Sequence, residues 1–160
     1  MNESLNNRSL KIISGGQTGV DRAALDVALN LGIQAGGFCP KDRWAEDGPI
    51  PDRYPVREID GGVEERTLMN VIHSDGTLIF FNKTLSGGSF FTKECCVAEN
   101  TPYLLFDLSN AEKSYTISDF ISQNTIHVLN IAGPRASEEP GIYKRVFSLL
   151  NDFFQKDCIQ

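Results

Sequence analysis

Ser14-Gly15-Gly16-Gln17-Thr18-Gly19-Val20-Asp21-Arg22 stands between two telling neighbours. Before it runs the apolar Leu10-Lys11-Ile12-Ile13, and after it Ala23-Ala24-Leu25-Asp26-Val27-Ala28-Leu29, apolar at helical spacing. Strand, glycine turn, helix is how an α/β protein builds an anion site. Glycines allow close backbone approach and positive φ, and the free N–H groups and dipole of the next helix attract phosphate-like groups. The loop is neither the dinucleotide GxGxxG nor a P-loop, because no Lys-Ser/Thr pair ends it. It predicts an anion or nucleotide site at Gly15, Gly16, Gln17, Thr18, Gly19 and Asp21. A tight strand–helix turn without a ligand is the plainer alternative.

The same alternation continues along the chain. Strand-like runs fall at Lys11–Ser14, Ile33–Phe38, Val56–Ile59, Thr77–Phe81, Tyr103–Asp107 and His127–Ala132. Amphipathic helical stretches lie near Asp21–Leu31, Val63–His73, Phe90–Asn100, Ile117–Gln123 and Gly141–Gln155. Alternating β and α argues for a Rossmann-like doubly wound α/β fold, a mostly parallel sheet with helices on both faces. Right-handed crossovers then place ligands at the carboxyl ends of the strands. No repeat or low-complexity linker interrupts the pattern, so one ligand-binding domain is expected over residues 10–156, preceded by a polar, flexible N-terminus at 1–9.

Composition narrows the partners. The chain has 160 residues, 41% hydrophobic and 22% charged, with a net charge of −6. That balance suits a soluble globular domain and argues against a nucleic-acid binder, which carries a basic face. An anionic ligand must then be held by local donors. No apolar run approaches a bilayer span, and the start lacks the regions of a signal peptide, so a cytoplasmic protein without membrane partners is expected. Cys39, Cys95, Cys96 and Cys158 show no metal or disulfide spacing; Cys39 stands apart because it lies in a candidate ligand loop. No His-rich cluster suggests a metal.

Three further loops carry candidate ligand contacts. Phe38–Tyr54 has no apolar period, and a loop this long in a small domain is usually functional. Its Trp44, the chain's one tryptophan, suits a flat ring, and Lys41 and Arg43 suit anionic groups. A second glycine turn, Ser86-Gly87-Gly88-Ser89, follows Thr77–Phe81. Glycine turns after the first and fourth strands are expected to flank the switch point where the sheet order reverses. The third loop, Gly133–Gly141, offers Arg135 to a phosphate. Carboxylates near this region (Asp21, Asp26, Asp47, Asp75, Glu94) include no arrangement that fixes an acid/base role.

Taken together, Ser14–Asp26, Phe38–Tyr54, Arg66–Asn70 with Ser74–Thr77, Ser86–Gly88 and Gly133–Ser137 resemble the putative molybdenum carrier protein family. The resemblance covers nearly the whole chain. It implies a carrier that binds molybdenum cofactor of the molybdopterin type as a phosphorylated small-molecule ligand, and a homo-oligomer, dimer or tetramer. More distantly the chain is similar to the lysine-decarboxylase-like, cytokinin-activating phosphoribohydrolases. That similarity implies catalytic roles for Arg66 and Glu94, if there is an enzyme at all. Their PGGxGTxxE motif is only partly matched: Gly87, Gly88 and Glu94 agree, whereas Ser86, Phe90 and Phe91 replace the proline, the third glycine and the threonine. A holding role therefore stands ahead of an N-glycosidase acting on nucleoside monophosphates, or a sensor of a nucleotide-derived ligand.

Overall fold

The computed structural model describes residues 10–110 and 115–158, so the expected flexible N-terminus at 1–9 lies outside the described residues. The element order is β1 (Lys11–Ile13), α1 (Val20–Leu31), β2 (Gln34–Gly36), β3 (Phe38–Cys39), β4 (Arg57–Glu58), α2 (Val63–Ile72), β5 (Gly76–Phe81), α3 (Gly87–Ala98), β6 (Tyr103–Asp107), α4 (Tyr115–Gln123), β7 (Val128–Ala132) and α5 (Ile142–Cys158). Among the described residues, five strands form one parallel sheet in the order β2-β1-β7-β5-β6. The Rossmann-like α/β architecture expected from the alternation is the one present.

Two strand expectations change. Val56–Ile59 does not join the main sheet; Arg57–Glu58 pairs in parallel with Phe38–Cys39 as a separate two-stranded ribbon. The run Ile33–Phe38 divides between β2 and that ribbon, with the break at Gly37. The ribbon closes the base of the long loop and leaves the sheet one strand smaller.

Alternation within the strands assigns the two faces. Ile12, Leu78, Phe80, Phe106, Leu129 and Ile131 join the main core with residues of α1, α4 and α5. On α1, Val20, Ala23, Ala24, Val27 and Ala28 are all fully buried at helical spacing, and the alanines let α5 lie close against it. Ile142, Val146, Leu150 and Phe154 form the facing stripe of α5. The apolar face of this last helix thus serves the core. The opposite face of the sheet carries α2 and α3, where Val71, Cys95 and Cys96 make a smaller cluster.

The position of β7 is the main surprise. It is the last strand in the chain and the central one in the sheet. Counted as first, with the others following in chain order, it turns the strand order into 3-2-1-4-5, the doubly wound Rossmann order without its sixth strand. The chain winds outward through β1 and β2 on one side and through β5 and β6 on the other. The switch point therefore lies between β7 and β5. The turns that flank it follow the last strand and the fifth, not the first, as the sequence order alone suggests.

Phe80 sits at the middle of this arrangement, fully buried and packed edge-on against Phe106 at 5.3 Å between ring centroids. Phe80→Ala is expected to cost about 3–5 kcal/mol, measured by urea denaturation.

Candidate functional site

A cleft of about 240 Å³ opens at the carboxyl edge of the sheet over β7. Its floor is Asn130–Gly133 at the end of β7. One side is formed by Gly15, Gln17 and Asp21, the other by Gly88, Ser89 and Thr92, with Arg66, Trp44, Arg135 and Glu138 around them. The structure thus brings together Gly15, Gln17, Asp21, Trp44, Arg66, Gly88, Ser89 and Arg135 of the sequence candidates. Gly16, Thr18, Gly19, Lys41, Arg43, Ser86, Gly87 and Glu94 are not among the residues that line it.

The two glycine turns differ in what surrounds them. In the opening loop the protein itself fills the space. A Cβ on Gly15 would lie 2.3 Å from Arg66 Nη1, and one on Gly16 2.8 Å from Ile50 Cδ1. At Gly19, with φ +80°, it would meet the Pro134 carbonyl oxygen at 2.5 Å, so this position needs glycine on both counts. The donors here are also engaged. Gln17 N–H donates to Asp21 Oδ2 (3.2 Å), Thr18 N–H to Gln17 Oε1 (3.0 Å), Val20 N–H to Pro134 O (3.2 Å) and Arg22 N–H to Gln17 O (3.1 Å). Four N–H groups of this turn thus bond the protein's own acceptors, while Gly15, Gln17 and Asp21 line the cleft.

The second turn is open. Gly87 adopts φ +56°, and a Cβ on Gly87 or Gly88 would meet nothing within 4 Å. The N-cap residue Ser86 makes no side-chain capping bond, so the first-turn N–H groups of α3 keep their free character. Ser89, in that turn, is only 4% exposed and its Oγ has no hydrogen-bond partner. Glu94, further along α3, is exposed and outside the cleft. The pairing of Arg66 with Glu94 that a phosphoribohydrolase implies does not form around this cleft.

Arg66 reaches across the sheet edge from α2. Its Nη1 donates to the Gly15 carbonyl at 2.9 Å and lies 3.7 Å from Asp21 Oδ2; both side chains are about nine-tenths buried. Burial pushes the Asp21 carboxyl above the usual carboxylate range, and the Arg66 guanidinium, the next influence, only partly opposes it.

The long loop has an internal frame. The Arg43 guanidinium donates to four carbonyls: Ile50 (2.9 Å), Pro51 (2.9 Å), Val56 (3.0 Å) and Tyr54 (3.1 Å). It shapes the loop from inside instead of facing a ligand. Lys41 lies exposed, 3.7 Å from Asp60. Trp44 is placed differently: it lines the cleft and is 47% exposed. Cys39 is buried in the loop's own apolar cluster, and desolvation raises its thiol pKa, which makes it an inert structural thiol.

Glu46 is the residue that sequence reasoning missed. Its carboxylate accepts from the hydroxyls of Thr18 and Ser137 and from Ser137 N–H (3.2 Å), while its own N–H donates to Gln17 Oε1 at 3.0 Å. Those hydroxyl donors, Ser137 first, hold its carboxyl below the usual range. Glu46 thereby clasps three loops around the cleft. Other candidate carboxylates have partners elsewhere: Asp26 with the Tyr143 hydroxyl, Asp47 with Arg22, and Asp75 with the backbone of His127 and Val128. Among the described residues, no group of three or more His, Cys, Asp or Glu is placed to hold a metal ion, and no helix is long and apolar enough to cross a membrane.

These features define a Rossmann-like α/β protein with its central strand moved to the end of the chain and a cleft lined by charged and hydrogen-bonding residues at the switch point. The chain belongs to the circularly permutated YpsA SLOG family, whose model matches residues 12–154. A solved structure described as a "Putative molybdenum carrier protein" from Syntrophus aciditrophicus SB is 42% identical, with a TM-score of 0.88, covering 91% of this chain and 96% of that one. No curated protein matches the chain.

Removing Arg66 strands a buried carboxylate. Arg66→Met is expected to cost about 3–5 kcal/mol at neutral pH. The sign with pH follows from the raised Asp21 pKa: the folded variant holds a proton there more tightly than the unfolded chain. Its deficit against the unsubstituted protein should therefore shrink as pH falls through that folded-state pKa, as denaturation midpoints across acidic buffers will show.

Proposed function

We propose that this protein is a carrier that holds a phosphorylated, ring-containing small molecule in the cleft, with molybdenum cofactor of the molybdopterin type as its cargo. One observation carries the reading. Among the described residues, the buried side-chain polar atoms without a hydrogen-bond partner are Ser89 Oγ and Arg135 Nε, and both residues line this cleft. Leaving a buried hydroxyl unmet costs about 1–3 kcal/mol, and Arg135 Nε, though near the Glu138 and Glu46 carboxylates, makes no hydrogen bond. Two such atoms converging on one cleft, beside the first turn of α3, mark a place where an external oxygen-rich group completes the bonding.

The remaining walls suit the rest of such a ligand. Trp44 offers an indole face at the rim for a flat ring. At about 240 Å³, the cleft is below the roughly 300–1,000 Å³ of a pocket that swallows a drug-sized ligand. It takes the anionic end of the molecule and leaves the ring against Trp44. The lining includes no thiol or imidazole. The lining's donors and charges suit hydrogen bonding to the anionic end of the cargo. The molybdenum assignment draws on the carrier designation of the related structure and on the family resemblance.

Ser89→Ala separates binding from structure. A hydrogen bond to a charged group contributes about 1.5–3 kcal/mol, so phosphorylated pterin should bind at least about tenfold more weakly, by calorimetry. The same substitution removes an unsatisfied buried hydroxyl, so ligand-free thermal stability should be unchanged or raised. Native mass spectrometry of the purified protein should show a bound phosphorylated pterin. A protein that carries nothing and is stabilised by neither pterin phosphates nor nucleotides overturns the reading.

A further inference from the structure

The charges lining the cleft are already matched inside the protein. Arg66 faces Asp21, and Arg135 faces Glu138, which completes the charged lining. Arg135 Nε lies 3.1 Å from Glu138 Oε1 and 3.5 Å from Glu46 Oε2, yet its N–H makes no hydrogen bond to either. The guanidinium is thus held by charge while one of its donors stays unused. The two carboxylates differ in how firmly they are placed. Glu46 is fixed by the hydroxyls of Thr18 and Ser137. The Glu138 side chain is 44% exposed, sits three residues along the same loop and can turn to solvent at little cost.

We propose that Glu138 is an internal competitor for Arg135: it occupies the guanidinium in the ligand-free cleft and is displaced by the ligand's anionic group. This rests on the reading of the cleft as an anion site. The consequence is a charge threshold. A group with one negative charge offers Arg135 no more than the carboxylate that it replaces. A phosphate monoester or a tetrahedral oxyanion offers two charges and several acceptor oxygens, one of which meets the unused Nε–H. The cleft so selects dianionic groups over carboxylates and phosphodiesters, which share its surroundings in any cell.

Glu139 supplies the control. It stands next in the chain and carries the same charge, but accepts from Asn82 Nδ2 at 2.7 Å and does not line the cleft. Full-length protein is titrated with methyl phosphate, a dianion at about pH 8, and with dimethyl phosphate, a monoanion. The amide resonances of Gly88 and Ser89 report binding. The unsubstituted protein should prefer methyl phosphate. Glu138→Gln should tighten methyl phosphate by about two- to fivefold, the range of an exposed ion pair. Glu139→Gln should leave it unchanged, and Glu138→Gln should have no effect in an Arg135→Ala background.

An equal gain from Glu139→Gln, or a gain that persists without Arg135, would mean a general field effect and overturn the competitor role. So would unaltered affinity in Glu138→Gln, or equal binding of the two anions by the unsubstituted protein. If neither anion moves these resonances in any variant, the anion-site reading fails first and the competitor role falls with it.

Discussion

A guanidinium laid across the carboxyl edge of the sheet organises this molecule. Arg66 starts on α2, on one face, and ends against Gly15 and Asp21, which belong to the turn and helix of the other. Neither α1 nor α2 can shift along the sheet without breaking a buried contact between charges, and an uncompensated buried charge is among the costliest local defects. The contact also dictates sequence. Position 15 accepts no side chain because the guanidinium occupies that space, and Asp21 must sit where it can meet both Arg66 and the Gln17 amide. At Gly15 the opening turn is shaped to admit Arg66.

The strand order explains why that turn does not face the crevice most directly. In a sheet wound outward from its centre, the open crevice lies where neighbouring strands lead to helices on opposite faces. Here that boundary runs between β7 and β5. The turns at the crevice are Gly133–Gly141 and Asn82–Gly88, and β1 is one strand removed. Its turn contributes a side wall through Gly15, Gln17 and Asp21 while its own amides bond to Pro134, Gln17 and Asp21. Moving the central strand to the end of the chain displaces the site from where chain order alone puts it.

Local periodicity made most of the fold readable. Val20, Ala23, Ala24, Val27 and Ala28 declare a helix with one buried face, and Gly76–Phe81 declares a strand covered on both sides. Neither pattern depends on distant residues. What stayed hidden was pairing. Arg57–Glu58 is too short a run to say which strand it joins, and it pairs with Phe38–Cys39. The site was half legible for the same reason. Trp44, Ser89, Asp21 and Arg135 line the cleft, as their residue types and loops suggest. Arg43 resembles an anion ligand in sequence, but four carbonyls of its own loop satisfy it. Glu46 resembles ordinary loop polarity, and its hold on Thr18 and Ser137 spans 28 and 91 residues.

Glycine motifs deserve the sharpest distinction of all, because the same letters serve two purposes. A glycine is needed where a side chain would collide, but the colliding partner can be protein or ligand. Gly15, Gly16 and Gly19 all have protein atoms inside 3 Å of the missing Cβ, whereas Gly87 and Gly88 have none within 4 Å. In the first group the absent side chain is already explained by packing. In the second it is not: Gly87 is accounted for by its positive φ, but Gly88 has neither strain nor neighbour to exclude a methyl group. An open, unstrained glycine beside a buried hydroxyl without a partner is the pair of features on which the proposed anion site rests. By that criterion the turn at Ser86–Ser89, which matches the enzyme motif only partly, is the part of the proposed anion site that packing leaves open. The motif at Ser14–Arg22 packs against the architecture around it and gives the cleft one side wall through Gly15, Gln17 and Asp21.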